Sequence, residues 1–137
     1  MSTTAPSELA VYIGRFQPLH NGHLALLQRA LQAGRHVVVV IGSAHQARTP
    51  KNPFTWQERA EMIKLALPAS ERERISFLPV RDYYDDTRWV QAVRTGVANI
   101  AQQQGLSARP SVTVVGHFKD ATSAYLQRFD GWHLISV

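Results

Sequence analysis

Two histidines three residues apart, His20 and His23, follow directly on the glycine turn Gly14-Arg15-Phe16-Gln17-Pro18. That turn itself follows a short apolar run, Leu9-Ala10-Val11-Tyr12-Ile13. Residues three apart at the mouth of a helix share a face. Two imidazoles therefore meet the free N–H groups of a helix's first turn, a combination that suits a phosphate chain. Neutral imidazole donates one hydrogen bond to a phosphate oxygen, and imidazolium adds charge as pH falls. Gly22 has no Cβ, so a ligand can lie close to the helix start. The plain alternative is a pair of surface histidines at a helix cap; the preceding Gly14-Arg15 weighs against it.

Three more polar stretches carry groups of the same kind. The segment from Gly42 to Thr55 holds two cations, Arg48 and Lys51, between the prolines Pro50 and Pro53. A loop stiffened by two prolines and a capped helix holds its polar groups in place before a ligand arrives. A plain strand-to-helix connection with solvent-facing cations is the other reading. The segment from Asp82 to Val90 holds an acidic trio, Asp82, Asp85 and Asp86, and then Trp89. An indole face pairs well with a flat cation; equally, Trp89 can anchor a helix to a sheet, with Asp86 as its N-cap. The trio reads as a capped, solvated turn, and no cluster reads as a metal site held by the protein. The fourth stretch is Gly116-His117-Phe118-Lys119-Asp120.

The elements that must position these groups are visible as alternating patterns. Apolar runs at Leu9–Ile13, His36–Ile41, Ile75–Val80, Ser111–Val115 and Trp132–Val137 read as strands. Val37–Ile41 and Val112–Val115 are continuous and β-branched, as strands buried on both faces are. Between them lie helical patterns. Asn21–Gln32 carries Leu24, Leu27 and Leu31 and is closed by Gly34. Thr55–Leu67 opens with a capping box, Thr55 and Glu58, and stops at Pro68. Thr87–Gln104 carries Val90, Val93, Val97 and Ile100 on one stripe, with Gly105 after it. Asp120–Phe129 is short and capped by Asp120. The sum predicts an α/β, Rossmann-like, doubly wound fold: a five-stranded parallel sheet with helices on both faces. In such sheets ligands bind beyond the carboxyl ends of the strands, at the topological switch point. The polar loops after the first, second and fourth strands emerge on that edge and converge.

The 137 residues are read as a single domain with room for a core. The formal charge is +5 and the pI about 10.1. The basic residues are scattered, so they favour a compact anion over a nucleic-acid backbone. No aromatic-basic interleaving argues for nucleic acid. No run is long enough for a membrane span, and the first seven residues lack the features of a secretory signal. There are no cysteines, which excludes disulfides and thiolate chemistry; the expectation is a cytoplasmic protein.

His20-Asn21-Gly22-His23 resembles the His-x-Gly-His signature of the nucleotidyltransferase superfamily. Gly14-Arg15-Phe16-Gln17-Pro18 narrows it: this version is similar to the archaeal-type nicotinamide mononucleotide adenylyltransferases and to bacterial bifunctional enzymes that join this domain to a Nudix hydrolase. The resemblance implies ATP contacts at Ile13, Gly14, Arg15, Phe16, His20, Gly22, His23, Gly116, His117 and Lys119. It implies mononucleotide contacts at Arg48, Asn52, Pro53, Phe54, Asp82 and Trp89, with Trp89 stacked on the pyridine ring. Arg15, His20, His23 and Lys51 are the implied catalytic group.

The implied reaction joins ATP and nicotinamide mononucleotide into NAD and pyrophosphate, by in-line attack on the α-phosphorus. Mg²⁺ is expected to arrive with the ATP phosphates. The family's further motif, Ser-x-Thr-x-x-Arg after the fifth strand, and any Nudix domain are absent from residues 1–137. The expectation is a portion of a longer protein. Oligomeric state is left open, a homo-oligomer included. The alternatives are another transferase of the superfamily, acting on nicotinate mononucleotide, phosphopantetheine or a cytidylyl acceptor, or a truncated nucleotide-binding module without catalysis.

Overall fold

The computed structural model describes residues 6–116 and 129–136. In chain order the elements are β1 (Ser7–Gly14), α1 (Asn21–Ala33), β2 (Gly34–Ile41), α2 (Trp56–Leu65), α3 (Ala69–Arg72), β3 (Ile75–Pro79), α4 (Asp86–Gln103), β4 (Val112–Gly116) and β5 (His133–Ser136). The strands form one sheet in the order β3-β2-β1-β4-β5, and every pairing is parallel. The chain leaves β1 toward β2 and β3, then returns to the other side of β1 to place β4. The topological switch point is thus between β1 and β4, beside Gly14 and Gly116.

Helices cover both faces, as the sequence predicts. Tyr12, Val37, Val39 and Ile41 point to one side, where Leu27, Ala30 and Leu31 of α1 and Ala60 and Ile63 of α2 bury them. Leu9, Val11, Val38 and Val40 point to the other, under Val93, Val97 and Ala101 of α4. Val37 to Ile41 are all 0% exposed, which is why this run is apolar without alternation.

Several local expectations change. A short helix, α3, follows Pro68, which serves as its N-cap; four residues carry no periodicity to read. Asp85, not Asp86, caps α4 by accepting from the Thr87 N–H. Gly34 does end α1, but in extended conformation, as the first residue of β2. Its lack of a side chain has a different cause: a Cβ there would stand 2.3 Å from the Ala10 nitrogen. The helix expected at Asp120–Phe129 lies outside the described residues except for Phe129, which is buried and non-helical. Among the described residues no helix is long and apolar enough to cross a membrane.

Candidate active site

The first turn of α1 is capped by its own histidines. The His20 Nδ1 accepts from the Gly22 N–H at 3.1 Å, and the His23 Nδ1 accepts from the His20 N–H at 3.1 Å. This is a capping box with imidazoles in place of Ser/Thr and Glu. Because each Nδ1 is an acceptor, each neutral ring carries its proton on Nε2. The site therefore presents Nε2–H donors. The rings stack, with centroids 3.7 Å apart and planes 24° apart.

Burial holds His23 well below the usual histidine range, to about 4, with neighbouring His20 adding to the effect. The expectation of added charge from imidazolium is therefore corrected for His23, which is neutral near pH 7. Protonating either Nδ1 would also remove the acceptor on which the cap depends. Gly22 also has a reason within the fold. A Cβ there would lie 3.0 Å from Cε1 and 3.1 Å from Nδ1 of His20, so the glycine makes room for the capping ring rather than for a ligand alone.

Stability should follow the same titration. His23 is near 6.5 when unfolded and about 4 when folded, so between those values the unfolded chain binds more protons. Its contribution is complete above about 6.5 and is lost as pH falls toward 4. His36 is lowered as well, by burial and then by Arg74, and acts in the same direction. The expected result is a thermal midpoint that drops from pH 7 to pH 5 in the wild type and drops less in His23→Gln. Equal slopes for the two proteins would contradict it.

Phe16 sits under the histidines. Its backbone is left-handed, φ 53°, its ring is 1% exposed, and it meets His23 edge-on with centroids 4.8 Å apart. The ring folds back over Gly14, where a Cβ would lie 2.7 Å from Cζ. Phe16, expected among the ATP contacts, thus offers almost no surface to a nucleotide. It supports His23 instead.

The second polar stretch is tied to this turn. Gln17 and the Phe54 backbone exchange two hydrogen bonds, each 3.0 Å, and Arg15 donates to the Asn52 Oδ1 at 2.9 Å. Arg48 pairs with Glu58 at 3.0 Å and donates to the Pro53 carbonyl. Both partners are exposed, so that pair steers the loop more than it stabilises the fold. Lys51 is exposed and makes no hydrogen bond or ion pair with the described residues.

On the α4 side of the same sheet edge is a cavity of about 330 Å³, with Ile13, Gly14, Arg15, Ser43, Asp82 and Trp89 among its walls. Asp82 is held from two sides: the Ser43 hydroxyl donates at 2.9 Å and the Gln46 amide at 2.6 Å. Trp89 meets Phe129 edge-on at 5.8 Å, and Phe129 stacks on Trp132 at 4.7 Å. The imidazoles stand on the α1 side and the indole on the α4 side, with Gly14 and Arg15 between them. Gly116 ends β4 next to this point and is buried; His117 and Lys119 lie outside the described residues.

Sequence reasoning missed Arg59. It is 1% exposed and donates to the carbonyls of Arg15 (2.8 Å), Gly42 (2.7 Å), Ser43 (3.3 Å) and Thr55 (3.2 Å). Burial lowers its pKa, with Arg15 adding to that and Asp82 opposing it. The readable signal was its spacing: Arg59, Ile63 and Leu67 recur every four residues, so the arginine falls on the buried stripe of α2.

Comparison with known proteins fits this geometry. The chain is 41% identical, over 93% of its length, to a nicotinamide/nicotinic acid mononucleotide adenylyltransferase of Acinetobacter baylyi, of which it spans 65%. It is 41% identical over 63% of its length to a nicotinamide-nucleotide adenylyltransferase of Picrophilus torridus, of which it spans 51%. Its fold superposes on a bifunctional NMN adenylyltransferase/ADP ribose pyrophosphatase of Francisella tularensis, crystallised with AMP and a manganese ion. The TM-score is 0.81 and the identity 32%, covering 96% of this chain and 37% of that one. With residues 11–128 matching the cytidylyltransferase-like family and the histidine pair set at the switch point of a doubly wound sheet, the chain belongs to that family.

Proposed function

We propose that the 137 residues act as one nucleotidyltransferase domain that joins ATP and nicotinamide mononucleotide into NAD and pyrophosphate. The observation that carries this reading is the placement of neutral Nε2–H donors on one side of Gly14-Arg15 and the Trp89–Asp82 cavity on the other. One side suits a triphosphate and the other a pyridine nucleotide. The names of the Acinetobacter, Picrophilus and Francisella relatives support the same pairing.

A 5′-phosphate oxygen of the mononucleotide attacks the α-phosphorus of ATP, the bond from that phosphorus to the bridging oxygen breaks, and pyrophosphate leaves with the electron pair. No covalent intermediate is required. Catalysis is then alignment plus stabilisation of shifting charge. His20 and His23 donate to phosphate oxygens, and Arg15 and Lys51 hold the anions together against their own repulsion. A divalent cation enters on the phosphates as part of the substrate. The first turn of α1 has no acidic residue, so phosphate oxygens rather than protein carboxylates hold the ion there; Mg²⁺ is the proposed one. On the other side, Trp89 covers the pyridinium. Trp89→Ala is expected to raise KM for the mononucleotide about tenfold, with kcat and KM for ATP little changed. Trp89→Phe should keep most of the affinity.

The test is mass spectrometry of the purified protein with ATP and nicotinamide mononucleotide, with nicotinate mononucleotide, phosphopantetheine and a cytidylyl acceptor in competition. The expected product is NAD. Product only from another acceptor would overturn the substrate, and tight ATP binding without any product would favour a nucleotide-binding module. A fused Nudix hydrolase is a proposal about the protein as a whole, tested by ADP-ribose hydrolysis.

A further inference from the structure

We infer that Arg59 is a positioning residue that sets the alignment of the two substrates without touching either, an inference that rests on the proposed function. One nitrogen, Nη1, donates to the carbonyls of both Arg15 and Gly42, and Nη2 donates to that of Ser43. Arg15 follows the end of β1, and Gly42 and Ser43 follow the end of β2. The guanidinium therefore extends the tie between the two loops beyond the last backbone bond that joins them, from the Gly42 N–H to the Gly14 carbonyl at 2.9 Å. A planar fork with several donors does this; an ammonium, a compact point charge on a flexible stem, does not hold a fixed spacing.

Each held residue carries one side of the site. The Arg15 side chain reaches the cavity and Asn52, where it is placed to hold phosphate. Ser43 is left-handed, φ 51°, and its hydroxyl fastens Asp82, which lines the cavity beside Trp89. A non-glycine residue in that conformation persists only where its surroundings over-determine it, and the Arg59 and Asp82 bonds are those surroundings. A shift of Arg15 against Ser43 would move the phosphate-holding side relative to the ring-holding side. Misplacement of reacting groups by about 1 Å costs about a hundredfold in rate.

The test is Arg59→Lys and Arg59→Met, with kcat and both KM values measured well below each thermal midpoint. Alignment predicts a kcat lower by about a hundredfold in both variants, with each KM changed less than about threefold. Retained charge in the lysine variant should not rescue the rate. Wild-type kcat in folded Arg59→Lys would overturn the inference, as would a raised KM with normal kcat, which marks a binding charge. A lowered midpoint with normal kinetics would mark a merely structural arginine and overturn it too. If neither variant folds, Arg59→Gln, which keeps a planar donor but not the fork that spans both loops, takes their place, and normal kcat there overturns the inference. No NAD from the wild type would instead defeat the functional reading.

Discussion

His23→Ala should lower kcat for NAD formation by at least about a hundredfold, the usual cost of removing one donor aimed at transition-state charge. The ring is neutral near pH 7, so what is lost is a directed Nε2–H rather than a positive charge. Salt should therefore change the ratio of wild-type to mutant rate little, because a neutral donor is not screened as a surface cation is. The substitution also strips the His20 N–H of its acceptor, which will lower the thermal midpoint. Glutamine at this position carries both an acceptor and an N–H donor, so recovery of kcat in His23→Gln would mark the lost donor, and recovery of the midpoint alone the lost cap. Steady-state kinetics with a parallel melting curve checks both. Unchanged kcat in a folded His23→Ala protein would remove His23 from the mechanism.

Gly34→Ala should destabilise the fold by about 3 kcal/mol, at the upper end for overpacking, and lower the melting temperature by roughly 10 °C. The new methyl would meet the Ala10 nitrogen at 2.3 Å and the Ala10 Cβ at 2.7 Å. Both atoms belong to the central strand, 0% exposed and hydrogen-bonded on both sides. No flexible side chain is there to give way. Calorimetry or urea unfolding measures the loss; a midpoint within about 2 °C of wild type would mean that β1 and β2 can separate locally.

The fold was legible because its strands are continuous and β-branched while its helices carry a four-residue period. Val37–Ile41 could hardly be anything but a central strand. Element ends were less legible: Asp85 and Asp86 are adjacent acids, and chemistry alone does not choose the cap. The candidate site was legible in its placement where residue type and chemistry coincide: His20, His23 and Trp89 do stand about the same sheet edge. It was illegible where a side chain serves another. Phe16 in a glycine turn reads as a ligand contact until its ring is seen beneath His23. Arg59 reads as one more surface cation unless it is placed on the stripe with Ile63. The roles of the histidines in the cap were hidden for a different reason. Their spacing is that of a capping box, but imidazole is not the residue expected in one.

That double duty couples ligand affinity to local order. In the proposed mechanism each imidazole donates to a phosphate through Nε2, while its Nδ1 secures a backbone amide. Polarisation of the imidazole at one nitrogen strengthens its bond at the other. On that proposal, nucleotide occupancy and firmness of the opening turn rise and fall together, and fraying at that end of α1 is itself a loss of affinity.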